Sequence, residues 1–198
     1  RLRSFAMLSV VVPFRSGGKS RLPEHMRAAV GLGMLGDVLE GALAVGRTIV
    51  VTADAAAAEL ARSLEAEVVE DPGGGQGRAV EHGLADAAGV CLVCNADLPL
   101  LRSIDLLALA GPALAGHLAL VRAADGTTNA LALPSPTAFR ALYGPGSADR
   151  FRRHARAAGL NCDEPVIPAL AADVDTLSDL EALADRVGPH TRTALQSA

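Results

Sequence analysis

Of 18 basic residues in the chain, one is a lysine, Lys19. It sits in the turn Arg15-Ser-Gly-Gly-Lys-Ser-Arg21, directly after the apolar run Met7-Leu-Ser-Val-Val-Val-Pro13. In a chain that otherwise uses arginine, a retained lysine points to a need for its compact, flexible ammonium. A strand, a glycine-bearing turn and a helix in succession is also where α/β proteins bind phosphate. The Gly-Gly-Lys-Ser segment invites comparison with the Walker A pattern G-x-x-x-x-G-K-[ST]. That pattern needs its first glycine at position 13, where this chain has Pro13. What remains is a turn carrying Arg15, Lys19 and Arg21, three cations able to converge on a polyphosphate. A solvated basic turn accounts for this loop, taken alone, equally well.

Two further loops carry carboxylates. Asn95-Ala-Asp97-Leu-Pro-Leu follows the most apolar strand pattern of the chain, Val90-Cys-Leu-Val-Cys. A carboxylate at the carboxyl end of a central strand lies at the mouth of an α/β site, although a lone aspartate more often caps a turn. In Asp173-Val-Asp175-Thr-Leu-Ser-Asp179, an extended backbone puts Asp173 and Asp175 on the same side. Two carboxylates so close repel unless a cation or proton sits between them. Magnesium, which prefers oxygen ligands and substrate phosphates, fits best. Capping of the following helix by Asp175 or Thr176, with Asp179 in its first turn, explains part of the motif.

No nucleophile–base pair is visible, and His82, His117 and His154 have no evident partners in the sequence. Cations and magnesium without a protein base suit a substrate that is already an ionised nucleophile, such as a phosphate. That chemistry is nucleotidyl transfer, in which a substrate phosphate attacks the α-phosphorus of a nucleoside triphosphate and pyrophosphate leaves.

These loops need a scaffold, and its pattern is regular. Strands are expected at 6–13, 47–52, 67–70, 90–94, 117–122 and 129–133. Helices are expected at 23–44, 55–64 with Asp54 as cap, 78–87, 103–115, 136–142, 148–158 and 177–187. Such alternation gives an α/β fold with a mostly parallel sheet between two helical layers. One domain spans 1–188, and 189–198 is expected to be a flexible tail. Half of the residues are hydrophobic but only 3% are aromatic, so the core must be built from Ala, Val and Leu. A net charge of -4 excludes a general basic field for nucleic acid. No apolar run has transmembrane length, and the N-terminal run lacks a cleavage site of small residues, so a cytoplasmic protein is expected. Cys91 and Cys94 have C-x-x-C spacing, but within a buried strand residues three apart face opposite ways, which favours packing over zinc or redox chemistry. The sequence leaves the oligomeric state open, a homo-oligomer included.

The residues, taken together, resemble the guanylyltransferases that activate 2-phospho-L-lactate or phosphoenolpyruvate in coenzyme F-420 biosynthesis. The resemblance runs in order through Val12-Pro-Phe-Arg with Lys19-Ser-Arg-Leu22, Asp71-Pro with its glycine loop, and Ala96-Asp-Leu-Pro-Leu100. It continues through Asp125-Gly-Thr-Thr-Asn-Ala-Leu131, Gly144-Pro-Gly-Ser147 with the helix at 150–159, and Asp173-Val-Asp-Thr176. It implies a three-layer α/β/α Rossmann-like mixed sheet of the nucleotide-diphospho-sugar transferase type, similar to the molybdopterin-guanylyltransferase group. It implies magnesium (Mg2+) on Asp97, Asp173 and Asp175, and a phosphorylated acid gripped by Thr128, Gly144 and Ser147. Lys19 and Arg21, as catalytic cations, match the family's basic loop facing the triphosphate of GTP, and Arg15 belongs with them. The base and ribose would lie near residues 73–77, including Gly75 and Gly77. The chain departs from the family's pattern at Gly77-Arg78-Ala79, where Gly-Leu-Asn is usual, and at Phe14-Arg15, where the first loop often reads Pro-Val-Lys. Competing readings are a related transferase with a sugar-phosphate or molybdopterin acceptor, and a nucleotide-binding domain without catalysis.

Overall fold

The computed structural model describes residues 8–16 and 22–197. Its strands are β1 (Ser9–Pro13), β2 (Arg47–Thr52), β3 (Glu67–Glu70), β4 (Cys91–Cys94), β5 (Leu118–Arg122), β6 (Thr128–Leu133) and β7 (Cys162–Asp163). The helices are α1 (Glu24–Leu43), α2 (Ala55–Ser63), α3 (Gln76–Gly83), α4 (Ser103–Leu114), α5 (Ser147–Ala157), α6 (Pro168–Ala171), α7 (Leu177–Leu183) and α8 (Pro189–Ser197). The strands form one seven-stranded sheet in the order β3-β2-β1-β4-β6-β5-β7. β6 runs antiparallel to both of its neighbours, and the other pairings are parallel.

Both faces of the sheet are covered, which is why β1 and β4 are continuously apolar. Val10 and Val12 pack into one core with Leu35 and Leu39 of α1, Ala57 of α2 and Leu106 of α4. Val11 points the other way, to Val80 of α3 and Phe151 of α5. Cys94 and Cys91 divide between the same two cores, as their spacing requires. Burial pushes the two thiols up to about 12 and about 11 respectively, so both are neutral packing groups.

The segment expected as a flexible tail is instead the helix α8, packed on α1. Asp37, buried on α1, accepts hydrogen bonds from the backbone amides of His190 (2.9 Å) and Thr191 (3.1 Å). It thus satisfies first-turn donors of α8 that would otherwise have no partner. Gly33 and Gly36 open the seat: a Cβ at Gly36 would fall 2.6 Å from His190 Cγ.

A second difference lies at 136–142, where the expected helix is only a 3-10 turn, Pro136–Ala138. Arg150 holds the residues beyond it in a loop, donating from Nη2 to the carbonyls of Leu142 (2.8 Å) and Tyr143 (2.9 Å). The apolar spacing there serves an aromatic cluster rather than a helix, with Tyr143 edge-on to Phe151 at 5.3 Å. α3 starts at Gln76, two residues earlier than expected, so the glycine loop feeds straight into a helix N-terminus.

The reversal of β6 brings its first residues, Thr128 and Asn129, beside the carboxyl end of β4. There the Asn129 carbonyl accepts from the Asn95 amide (2.9 Å).

Candidate active site

A cavity of about 470 Å³ opens where the chain leaves β1 and β4. Its wall includes Pro13, Phe14 and Arg15 after β1, Gln76 at the start of α3, and Asn95 and Asp97 after β4. This is the crevice beyond the carboxyl ends of the strands where open α/β sheets bind ligands.

The carboxylates meet at its edge. Val174 donates its amide to the Asp97 carbonyl (3.1 Å), which lays the 173–175 segment alongside the β4 loop. Asp97, Asp173 and Asp175 then each present an oxygen within 4.8 Å of the others, with Asp97 and Asp173 half-buried. Asp179 does not join them. Its Oδ2 accepts from the amides of Thr176 (2.7 Å) and Asp175 (3.1 Å), closing a capping box on α7. The 173–179 motif therefore divides into a carboxylate pair and a helix cap. Three carboxylates form an all-oxygen donor set, which fits a hard divalent cation such as magnesium and not a thiophilic metal.

Arg15 lines the cavity, but its guanidinium is engaged. Nε and Nη2 grip Asp71 Oδ2 (2.5 Å) and Oδ1 (2.9 Å), a bidentate pair that ties the first loop to the glycine loop. The hydrogen bond from Arg15 holds the Asp71 carboxyl below the usual carboxylate range, against the opposing effect of burial. Lys19 and Arg21 lie outside the described residues. In the glycine loop, Gly75 has φ +97 and precedes α3, a conformation that suits glycine. Gly77 faces Ala141, whose Cβ would lie 2.6 Å from a Cβ at this position, so it serves a close approach of backbones.

Thr128, Gly144 and Ser147 are brought together at the starts of β6 and α5. The hydroxyls of Thr128 and Ser147 are 3.1 Å apart and buried, and the Ser147 amide donates to the Gly144 carbonyl (3.0 Å). None of the three lies on the wall of the 470 Å³ cavity.

Sequence reasoning missed the amides between these groups. Gln76 Nε2 donates to Asn95 Oδ1 (2.7 Å), Asn95 Nδ2 to Asn129 Oδ1 (3.3 Å), and Asn129 Nδ2 to Asp173 Oδ1 (3.0 Å). The available signal was Asn129 itself, an amide in the otherwise apolar run Asn129-Ala-Leu-Ala-Leu133 and only 1% exposed.

A mostly parallel sheet with gathered carboxylates beside a nucleotide-sized crevice defines a nucleotidyltransferase-type α/β protein. The fold matches a structure described as a nucleotide-diphospho-sugar transferase from Desulfovibrio desulfuricans G20, with a TM-score of 0.74 at 18% identity, covering 98% of this chain and 95% of that one. It also matches molybdopterin-guanine dinucleotide biosynthesis protein A from Archaeoglobus fulgidus, with a TM-score of 0.57 at 18% identity over 88% and 95% of the two chains. At these identities the likeness speaks for the fold. The sequence itself is more specific. The family model described as "Guanylyl transferase CofC like" matches residues 8–197, and the chain belongs to that family. A relative from Geodermatophilus obscurus, named phosphoenolpyruvate guanylyltransferase, is 39% identical over 173 residues, covering 84% of this chain and 79% of the relative. Among the described residues, no helix is long and apolar enough to cross a membrane.

Proposed function

We propose that the protein transfers GMP from GTP to the phosphate of phosphoenolpyruvate, releasing pyrophosphate, with magnesium as cofactor and within coenzyme F-420 biosynthesis. The observation that carries this reading is the Asp97–Asp173–Asp175 cluster at the rim of the crevice. Family membership and the name of the relative from Geodermatophilus obscurus support the guanylyl donor and the phosphoenolpyruvate acceptor. 2-Phospho-L-lactate differs from phosphoenolpyruvate by a methyl group in place of an alkene and is the second acceptor to test.

In this reading Asp97, Asp173 and Asp175 hold the cation. When bound, magnesium neutralises phosphate oxygens and lowers the barrier to displacement at phosphorus. The rest belongs to the chain's own residues. The Arg15–Asp71 pair holds the β1 loop against the glycine loop and so shapes the nucleotide crevice. Lys19 and Arg21, in the same loop, neutralise the departing pyrophosphate. Thr128, Gly144 and Ser147, which adjoin one another beside the crevice, are assigned the acceptor acid on the family resemblance alone, and Arg150 moulds the loop leading to Gly144. No general base is needed, because the attacking phosphate is ionised at neutral pH.

The test is pyrophosphate release with magnesium, offering GTP, ATP and CTP against phosphoenolpyruvate, 2-phospho-L-lactate and 3-phosphoglycerate. Release with GTP and phosphoenolpyruvate is expected to exceed the other combinations. Asp97→Asn, and separately the paired change of Asp173 and Asp175 to Asn, should each lower it by about 100-fold or more, as loss of a central electrostatic contact does. Full activity in both variants would remove the metal assignment.

A further inference from the structure

The three amides between the crevice and the carboxylates run in one direction, set by two acceptors: the Asp173 carboxylate and the Thr128 carbonyl, to which Asn95 Nδ2 also donates (3.4 Å). An ionised aspartate is an acceptor only, so Asn129 must turn its NH₂ to Asp173. Its carbonyl then faces Asn95, which must donate, and the Asn95 carbonyl in turn faces Gln76, which must donate as well. Each amide therefore has one allowed orientation, although an isolated asparagine or glutamine could sit either way round. The series spans four separate stretches of chain: the start of α3, the end of β4, the start of β6 and the 173–175 segment. It begins on the wall of the crevice, where Gln76 and Asn95 both lie, and ends on a carboxylate of the cluster.

We infer that Gln76, Asn95 and Asn129 form a polarised amide relay anchored on Asp173, which fixes the carboxylate for cation binding and fixes which atom of Gln76 is turned away from the nucleotide. Asn95 and Asn129 act as positioning residues. One N–H of Gln76 is committed to Asn95, which turns the amide so that its carbonyl oxygen is the acceptor offered to a donor on the nucleotide. Because hydrogen bonds in such a series reinforce one another in a low-dielectric setting, a change at one end is felt at the other. The cation half of this inference rests on the proposed metal role of Asp173, whereas the relay itself does not.

The deciding variant is Gln76→Glu, which keeps shape and the oxygen but replaces the donor to Asn95 with an acceptor. Asn95 must then turn its NH₂ to the new carboxylate and give up its bond to the Thr128 carbonyl. Asn129 loses its donor, or turns and points its own carbonyl at Asp173. Gln76→Leu is the control, since it removes the end of the relay without reversing anything. Side-chain amide NMR without metal or nucleotide reads the relay directly. The Asn129 NH₂ resonances should move clearly further in Gln76→Glu, which reverses the series, than in Gln76→Leu, which only shortens it, and equal or absent movement in Gln76→Glu would overturn the relay.

Mn²⁺ binding to the protein alone, followed by electron paramagnetic resonance, reads the consequence for the cluster. Gln76→Glu should weaken it by about tenfold, the worth of one hydrogen bond to a charged group. Added negative charge acting through space would tighten it instead, so an unchanged or tighter Mn²⁺ affinity also overturns the inference. Asp175→Asn separates the two hypotheses. Mn²⁺ binding that is unaffected by this change, or absent in the unaltered protein, counts against the metal reading, and the NMR result alone then decides the relay.

Discussion

Asp71 shows how one residue serves the crevice without touching chemistry. It receives two hydrogen bonds from Arg15 and one from the amide of Gly73 (2.9 Å), so the first loop and the glycine loop are joined through a single carboxylate. The bonded form is the ionised one, and its acidity is raised accordingly. The pair stabilises the fold fully above the unfolded carboxyl's value near 3.8 and ceases to do so as pH falls through the lower folded value. Asp71→Asn is therefore expected to lower stability by about 1 kcal/mol at pH 7, since Arg15 is partly exposed. That difference should narrow steadily in urea titrations as pH is lowered from the unfolded carboxyl's value, and a deficit that stays constant with falling pH would place the effect elsewhere. Lys19→Arg addresses the opposite question, whether the single lysine is a matter of chemistry. If a compact ammonium is required at the pyrophosphate, turnover should fall by about tenfold while charge is conserved, measured as pyrophosphate release at saturating GTP.

Helix α8 is the element whose existence composition concealed. Its sequence, Pro189-His-Thr-Arg-Thr-Ala-Leu-Gln-Ser197, has no strong apolar stripe, and it follows a glycine. The explanation lies about 150 residues away, in the glycines of α1. Glycine within a helix costs about 1 kcal/mol relative to alanine, so Gly33 and Gly36 argue against α1 unless something else occupies their space. That something is the backbone of Thr191 and the ring of His190. Asp37→Ala should release the first turn of α8 and lower stability by about 1–3 kcal/mol, because one buried and one part-buried amide lose their acceptor. Hydrogen exchange would then show 189–197 opening before the sheet does. Equal protection in both proteins would mean that apolar packing, and not the cap, holds the helix.

Other elements were plain from local pattern, and some exist only through the fold. Strands 47–52 and 67–70 were legible to the residue, the first as a buried apolar run and the second as a short β-branched pair between charged ends at the sheet edge. The spacing of Asp173 and Asp175 was legible too, from a local period of two. The 3-10 turn at Pro136–Ala138 was not, since Phe139 and Leu142 have helical spacing yet belong to a cluster around Phe151. The amides were not legible either, because Gln76, Asn95, Asn129 and Asp173 become neighbours only through the sheet order and the reversal of β6.

For the molecule as a whole, that reversal sets where the site comes from. In an all-parallel sheet the start of β6 would lie at the far edge, away from the carboxyl end of β4. Here Asn129 reaches Asn95 across 34 residues of chain and Asp173 across 44. Val174 meets Asp97 over a still longer interval. Contacts this distant in sequence form late and slowly, because loop closure must precede any reward from them. The site has no sub-assembly that could work early, so catalysis is a clock for the completed fold. The chain carries its own second hand: with no tryptophan, ultraviolet emission comes from Tyr143, seated against Phe139 and Phe151. After dilution from urea, turnover should return no sooner than the slowest phase of that emission, and activity regained ahead of it would mean that the crevice matures independently of the aromatic cluster.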